Sequence, residues 1–208
     1  MQPFTTLTGI AAPLLRDDID TDQICPVLPL RVLEPDYAAQ LFVRLRKRPD
    51  RSENPDFVLN RPQYRSAKML LAGRNFGCGS ARESAAWAMS AFGIRCIVAR
   101  SFAELYRRNA INNGILPIVL PDTQMDAFEA HVLTVNGAQP FTVDLLQQRI
   151  VCPNGMAIPF DFDATYRAVL LQGLDEIGIT LRNARDITAW EQRCRETQPW
   201  LQSMDITQ

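Results

Sequence analysis

Histidine is almost absent from this chain: His131 stands alone in 208 residues. A single imidazole argues against a zinc site of the usual kind and against a histidine-dependent nucleophile triad. The five cysteines (Cys25, Cys78, Cys96, Cys152 and Cys194) are scattered, odd in number, and form no CxxC. That speaks against a disulfide framework, for a reducing compartment, and against an iron–sulfur site built by this chain alone. Excess positive charge is also missing. The formal net charge is −1, so nucleic acid is not an expected partner. No apolar run approaches the roughly 20 residues of a membrane-spanning helix. The start, "MQPFTTLTG", has neither the basic nor the long apolar region of a signal peptide. The expected location is the cytoplasm, with no membrane contact.

What is present is enough apolar sequence for a packed core, 47% of the residues. The middle of the chain alternates short apolar runs with helical patterns. "AKMLLA" (67–72), "IRCIVA" (94–99) and "ILPIVL" (115–120) read as buried strands. Between them, "ARESAAWAMSAF" carries Ala85, Ala88, Met89 and Phe92 at helical spacing, with Gly93 as its C-terminal cap. "SFAE" has capping-box spacing from Ser101 to Glu104, and "PDTQMDAFEAH" reads as a third helix. A β-α-β-α-β-α order implies an α/β fold with a parallel sheet and right-handed crossovers. Pro and Arg crowd the segment from Arg44 to Pro62 without periodicity, so a mobile loop is expected over about 27–62. After His131, "HVLTV", "FTVDLL", "RIVC" and "MAIPF" read as short antiparallel strands, with "PNG" (153–155) as a turn. The chain returns to helix over about 163–200.

The stretch "AGRNFGCGSARESAAWAMSAFG" (72–93) concentrates the chemistry. Its glycines lie between a strand and a helix, where free N–H groups and the helix dipole suit a carboxylate or phosphate. Arg82 in a first helical turn opposes that dipole and points to an anion nearby. The plainer reading is a tight turn, with Ser80 capping the helix and Glu83 completing a capping box. Local physics leaves both open. A P-loop needs a lysine after the glycines, a dinucleotide fingerprint needs glycine where Arg82 stands, and a nucleophile elbow also needs glycine there. Cys78 is read as a small packed residue in preference to a reactive thiol. Asp18, Asp20 and Asp22 open like a calcium loop, but Gln23 and Pro29 occupy the positions that need glycine and glutamate. An Asx-type turn is one reading of that stretch, and a carboxylate that orients a catalytic group on a partner is the other. His131 is read as a helix-end residue without chemistry.

Four blocks together carry a resemblance: "DIDTDQICP", "NPDFVLNRPQYRSAKMLLAGRNFGCGSARES", "SFAELYRRNAINNGILPIVL" and "DEIGITL". In order and spacing they resemble the bacterial small subunits of 3-isopropylmalate dehydratase, in the aconitase superfamily. The likeness runs from about Phe4 to Arg195 and rests on the combination of blocks. It implies a single swivelling β/β/α domain over 1–208, like the fourth domain of aconitase, with a smaller additional sheet. It implies no cofactor in this chain and a [4Fe–4S] cluster on a separate large subunit. It also implies a hydro-lyase of leucine biosynthesis that interconverts 2-isopropylmalate and 3-isopropylmalate, hydroxy dicarboxylic acids, by dehydration and rehydration. Residue by residue, Ser80 matches the family's catalytic base and Arg82 its substrate-carboxylate clamp. Gly79 and Ala81 fall at substrate-contacting positions. Asp20 and Asp22 fall where carboxylates support the partner subunit's catalytic residues, and Leu30 and Arg31 fall in the loop that reads the substrate side chain. The sequence also departs from the pattern. Ala81 replaces a second serine, Ser84 a histidine and Ala86 a proline, and the segment after Pro26 lacks the usual Gly-Phe-Gly run. These departures imply altered substrate contacts, as in a paralogue for citramalate or dimethylmalate. They also motivate an alternative of another class, a non-catalytic paralogue that only binds a large subunit.

Overall fold

The computed structural model describes residues 1–27, 35–198 and 200. Leu30 and Arg31 lie outside them. The chain divides into two compact units, Met1–Gly173 and Leu174–Gln208. The first unit begins with β1 (Thr6–Gly9), β2 (Ala11–Leu14) and three one-turn helices, α1 (Thr21–Ile24), α2 (Tyr37–Gln40) and α3 (Val43–Arg46). The alternating core follows: β3 (Met69–Ala72), α4 (Ser84–Phe92), β4 (Cys96–Ala99), α5 (Glu104–Asn112), β5 (Leu116–Val119) and α6 (Asp122–Val135). β6 (Phe141–Asp144), β7 (Arg149–Val151), β8 (Ala157–Pro159) and α7 (Ala164–Gln172) complete it. The second unit holds α8 (Glu176–Leu181), capped by Asp175, and α9 (Ala184–Thr197), which buries none of its residues.

Two sheets organise the first unit. One is parallel, in the order β2-β3-β4-β5, and the other antiparallel, in the order β1-β6-β7-β8. A mixed α/β architecture with a parallel βαβ core and a smaller second sheet is thus the observed fold. β1 and β2 are separated only by Ile10, so one extended segment enters both sheets.

The parallel strands are buried on both faces, which is why they read as continuous apolar runs. Their side chains alternate between two cores. Leu14, Leu70, Ala72, Ile97 and Ala99 pack with α4 and Tyr106 on one face. Met69, Leu71, Cys96, Val98, Leu116 and Ile118 pack with α6 and the antiparallel sheet on the other. Ala85, Ala86 and Ala88 are all fully buried, so α4 presents small residues to the sheet. Gly93 caps α4 in the left-handed region, as its position predicts.

Several expectations need correction. "HVLTV" is helical, because Met125, Phe128 and Val132 keep a three-four spacing that carries α6 on to Val135. α4 starts at Ser84, so Arg82 precedes the helix, and no Ser80–Glu83 capping box forms. Nor does Ser101 cap α5; its hydroxyl instead accepts from the N–H of Asn75 at 2.8 Å. The stretch 27–62, expected as a mobile loop, carries α2 and α3 among its described residues and buries Leu41, Phe42, Phe57 and Leu59. The rings of Phe42 and Phe57 meet at a tilt, with their centres 5.6 Å apart. Such anchors are too sparse to produce a period, yet they hold the part from Leu41 to Leu59 against the core; residues 28–34 of the expected loop lie outside the described residues.

Candidate active site

The site forms where β2 and β3 leave the parallel sheet side by side. Leu14 is in register with Ala72, and the chains beyond them stay together. The Gly73 N–H donates to the Arg16 carbonyl (3.2 Å) and the Asp18 N–H to that of Arg74 (2.9 Å). Further along, the Gly77 N–H donates to the Ile19 carbonyl (2.7 Å) and the Thr21 N–H to that of Cys78 (2.9 Å). The acidic turn and the glycine-rich turn therefore form one hydrogen-bonded ribbon. The carboxylate of Asp17 adds a bond from the N–H of Arg74 at 2.6 Å.

At the end of this ribbon the backbone of Ser80 and Ala81 is held from two directions. The Ser80 N–H donates to the buried Thr21 hydroxyl at 3.0 Å. The next carbonyl, that of Ala81, accepts from Asn109 Nδ2 on α5 at 3.0 Å. Gly79, Ser80 and Ala81 are themselves exposed. A pinned backbone under an open side chain is the geometry that a reacting group needs. The N–H groups of Ala81 and Arg82 donate to no other group among the described residues and remain available to an anion. The expectation that a helix terminus faces such an anion is not met, because the helix begins at Ser84 and these N–H groups belong to a loop.

Arg82 pairs with Asp22, and its Nε is buried with no partner. Arg82 thus has one edge engaged by a carboxylate of its own chain and one donor unmatched. Asp20 is used differently: its carboxylate accepts from the Gln23 N–H at 2.6 Å and caps α1. Of the two acidic residues singled out from sequence, Asp22 therefore faces the candidate arginine and Asp20 closes a turn. Thr21 and Asn109 escape a sequence reading, because nothing in local spacing marks residues 59 and 28 positions away from their partners.

Behind Arg82 lie Cys25 and Ser84. Burial pushes the Cys25 thiol up, while a hydrogen bond with Ser84 and the charge of Arg82 draw it down. Cys78 is raised by burial and by the negative charges of Asp18 and Asp20, so it stays a neutral thiol at neutral pH. It is half-buried between the two turns, its carbonyl accepting from the Thr21 N–H. The cysteines are all free. Among the described residues no three His, Cys, Asp or Glu side chains converge as a group that could hold a metal ion. His131 lies within α6, remote in the chain from the ribbon. No helix among the described residues is long and apolar enough to cross a membrane.

A doubly covered parallel sheet, a second small sheet and a serine turn at the sheet's carboxyl edge define an aconitase-type C-terminal domain, and residues 1–123 match the family model described as aconitase C-terminal domain. Residues 176–203 match the model for the C-terminal domain of the 3-isopropylmalate dehydratase small subunit. The 3-isopropylmalate dehydratase small subunit of Rhodospirillum centenum is 48% identical, covering 96% of this chain and 98% of its own length. That of Paramagnetospirillum magneticum is 47% identical, covering 97% and 100%. The crystal structure of 3-isopropylmalate dehydratase from Methanocaldococcus jannaschii superposes with a TM-score of 0.61 at 26% identity, covering 89% of this chain and 99% of that one. The chain belongs to the family of 3-isopropylmalate dehydratase small subunits.

Proposed function

We propose that this chain is the small subunit of a cytoplasmic hydro-lyase that, with a large subunit, interconverts 2-isopropylmalate and 3-isopropylmalate. The observation that carries the reading is Ser80: exposed, with its N–H held by Thr21 and the carbonyl of the next residue held by Asn109, and two residues from a half-satisfied arginine. Dehydration removes a proton from carbon and a hydroxide from the neighbouring carbon. A [4Fe–4S] cluster on the large subunit would supply the Lewis acid for the departing hydroxyl. This chain supplies the proton acceptor and a hold on a carboxylate. Ser80 takes the carbon-bound proton as its alkoxide, and the Arg82 charge and the free loop N–H groups stabilise that anion. The planar fork of Arg82 suits a bidentate carboxylate, with Asp22 orienting the guanidinium until substrate arrives. Gly79 and Ala81 border the same opening.

The test is reconstitution with the cognate large subunit under anaerobic conditions. Ser80→Ala should lower kcat by about 10²–10⁴-fold with KM little changed, the range for losing a positioned base. Turnover near that of the unaltered complex would remove Ser80 from this role.

A second reading concerns the substrate. Ala81 presents a methyl group at the exposed turn, and Ser84 is engaged with Cys25. Both differ from the pattern of the resemblance, which favours a related 2-substituted malate such as citramalate or dimethylmalate. A panel of these acids with the reconstituted complex separates the two by kcat/KM. Absence of turnover on every acid would instead mark a binding-only paralogue.

A further inference from the structure

Five cations fall within the eight residues Arg44–Arg51, and the fold sorts them into two groups. Arg46 turns inward. Its Nε donates to Asn60 Oδ1 (3.2 Å), its Nη1 to the Ala38 carbonyl (3.2 Å), and its guanidinium lies 4.9 Å from the centre of the Phe92 ring. Arg44, Lys47, Arg48 and Arg51 are exposed and, with Val43 and Pro49, line an open cavity of about 500 Å³. Among the described residues, the side chains of Arg44, Lys47 and Arg51 have no hydrogen-bond or ion-pair partner. Asp50, the acid within this run, accepts from the Ser52 N–H and hydroxyl at 2.9 and 2.6 Å, and Arg48 is the only member of the row whose charge acts on it.

Arg44 also joins this cavity to a second of about 400 Å³, whose walls include Leu15, Arg16, Asp56 and Arg61. Six cations face the two cavities against one acid. Leu15 and Arg16 directly follow β2, and the Arg16 carbonyl accepts from the Gly73 N–H, which follows β3. The cationic row therefore reaches the same carboxyl edge of the sheet from which the Ser80 turn emerges. Crowded, unmatched cations repel one another, and an arriving negative surface relieves that repulsion. The row is long, open and backed by apolar stems, which fits a protein face better than one small anion.

We infer that the row Arg16–Arg44–Lys47–Arg48–Arg51 is a docking surface for an acidic face of the large subunit. This rests on the proposed function, which requires a second subunit to close over the Ser80 edge. Complementary surface charge acts mainly on the association rate and its salt dependence.

The test uses the full chain and its cognate large subunit, with association followed by stopped flow. Reversal of four charges (Arg44→Glu, Lys47→Glu, Arg48→Glu and Arg51→Glu) should slow association at least about tenfold at low salt, with the gap closing near 1 M salt, where screening reaches within about 3 Å. Arg149→Glu, an exposed reversal on β7, should change the rate less than about twofold. Should the fourfold variant misfold, the single variants Arg48→Gln and Arg51→Gln are each expected to reduce the salt slope. Unchanged rates and slopes in folded variants overturn the inference. So does saturable binding of tripolyphosphate to the isolated chain together with unaltered assembly, which would make the row a small-anion site. Failure of the unaltered chain to bind the large subunit at all is a separate result, and it removes the proposed function along with this inference.

Discussion

The two faces of the parallel sheet are built by different means. One is covered by a long helix, α6, and by the antiparallel sheet, through Met125, Phe128, Val132, Phe141 and Ile150. These are large residues on regular elements, and they bury area without making a site. The other face is covered by α4, Tyr106 and a series of one-turn helices and loops, and its edge carries Ser80, Arg82 and Asp22. There, order comes from single hydrogen bonds and close backbone approach. Regular packing gives stability spread over many contacts, whereas the site face concentrates geometry in a few atoms.

Breaking the regular face should cost the most stability and the least chemistry. Phe128 is fully buried and packs edge-on against Phe141 with ring centres 5.3 Å apart. Phe128→Ala should lower unfolding free energy by about 4 kcal/mol, the usual cost of truncating a buried aromatic ring. Urea denaturation measures that loss. The turnover of the folded fraction, reconstituted with the large subunit, should stay within about twofold, because no Ser80 contact runs through that core.

A matched pair of glycines sharpens the contrast. Gly77 on the site face and Gly155 in the β7–β8 turn both have positive φ, +78° and +85°. A Cβ on Gly77 would lie 2.1 Å from Tyr106 Cγ, whereas one on Gly155 meets nothing within 4 Å. Gly77→Ala should therefore cost about 3 kcal/mol, left-handed strain plus overpacking, and Gly155→Ala about 1 kcal/mol from strain alone. Equal losses in the two variants would mean that Tyr106 yields freely and that the site face is no tighter than a surface turn.

The same contrast sets what was legible in the sequence. Strands buried on both faces announce themselves, since Met69–Ala72 and Cys96–Ala99 are apolar at every position. Family-specific spacing marked Ser80 and Arg82, which physics alone left divided between a cap and an anion site. Local rules failed where tertiary contacts overrode them. "HVLTV" has strand-forming residues, but its Val132 completes the stripe of α6. The capping boxes at Ser80 and Ser101 had correct spacing, yet Ser80 is held by Thr21 and Ser101 accepts from Asn75. The pairing of Asp22 with Arg82 spans 60 residues and follows from the ribbon, which no local window contains.

Thr21 offers the most selective test of how the site face works. It lies between Asp20 and Asp22, is 2% exposed, and its hydroxyl accepts the Ser80 N–H. Thr21→Val keeps the volume and branching and removes only that acceptor. Because Ser80 is exposed, water can take up part of the released N–H, so the stability loss should be small, about 1 kcal/mol. The catalytic loss should be disproportionate, with kcat down about tenfold and KM nearly unchanged, because the proposed base is no longer fixed relative to Arg82. Thr21→Ser restores the oxygen without the methyl group and should recover most of kcat. A merely structural role would make both variants lose stability and activity together, and full kcat in Thr21→Val would show that the backbone ribbon alone positions Ser80.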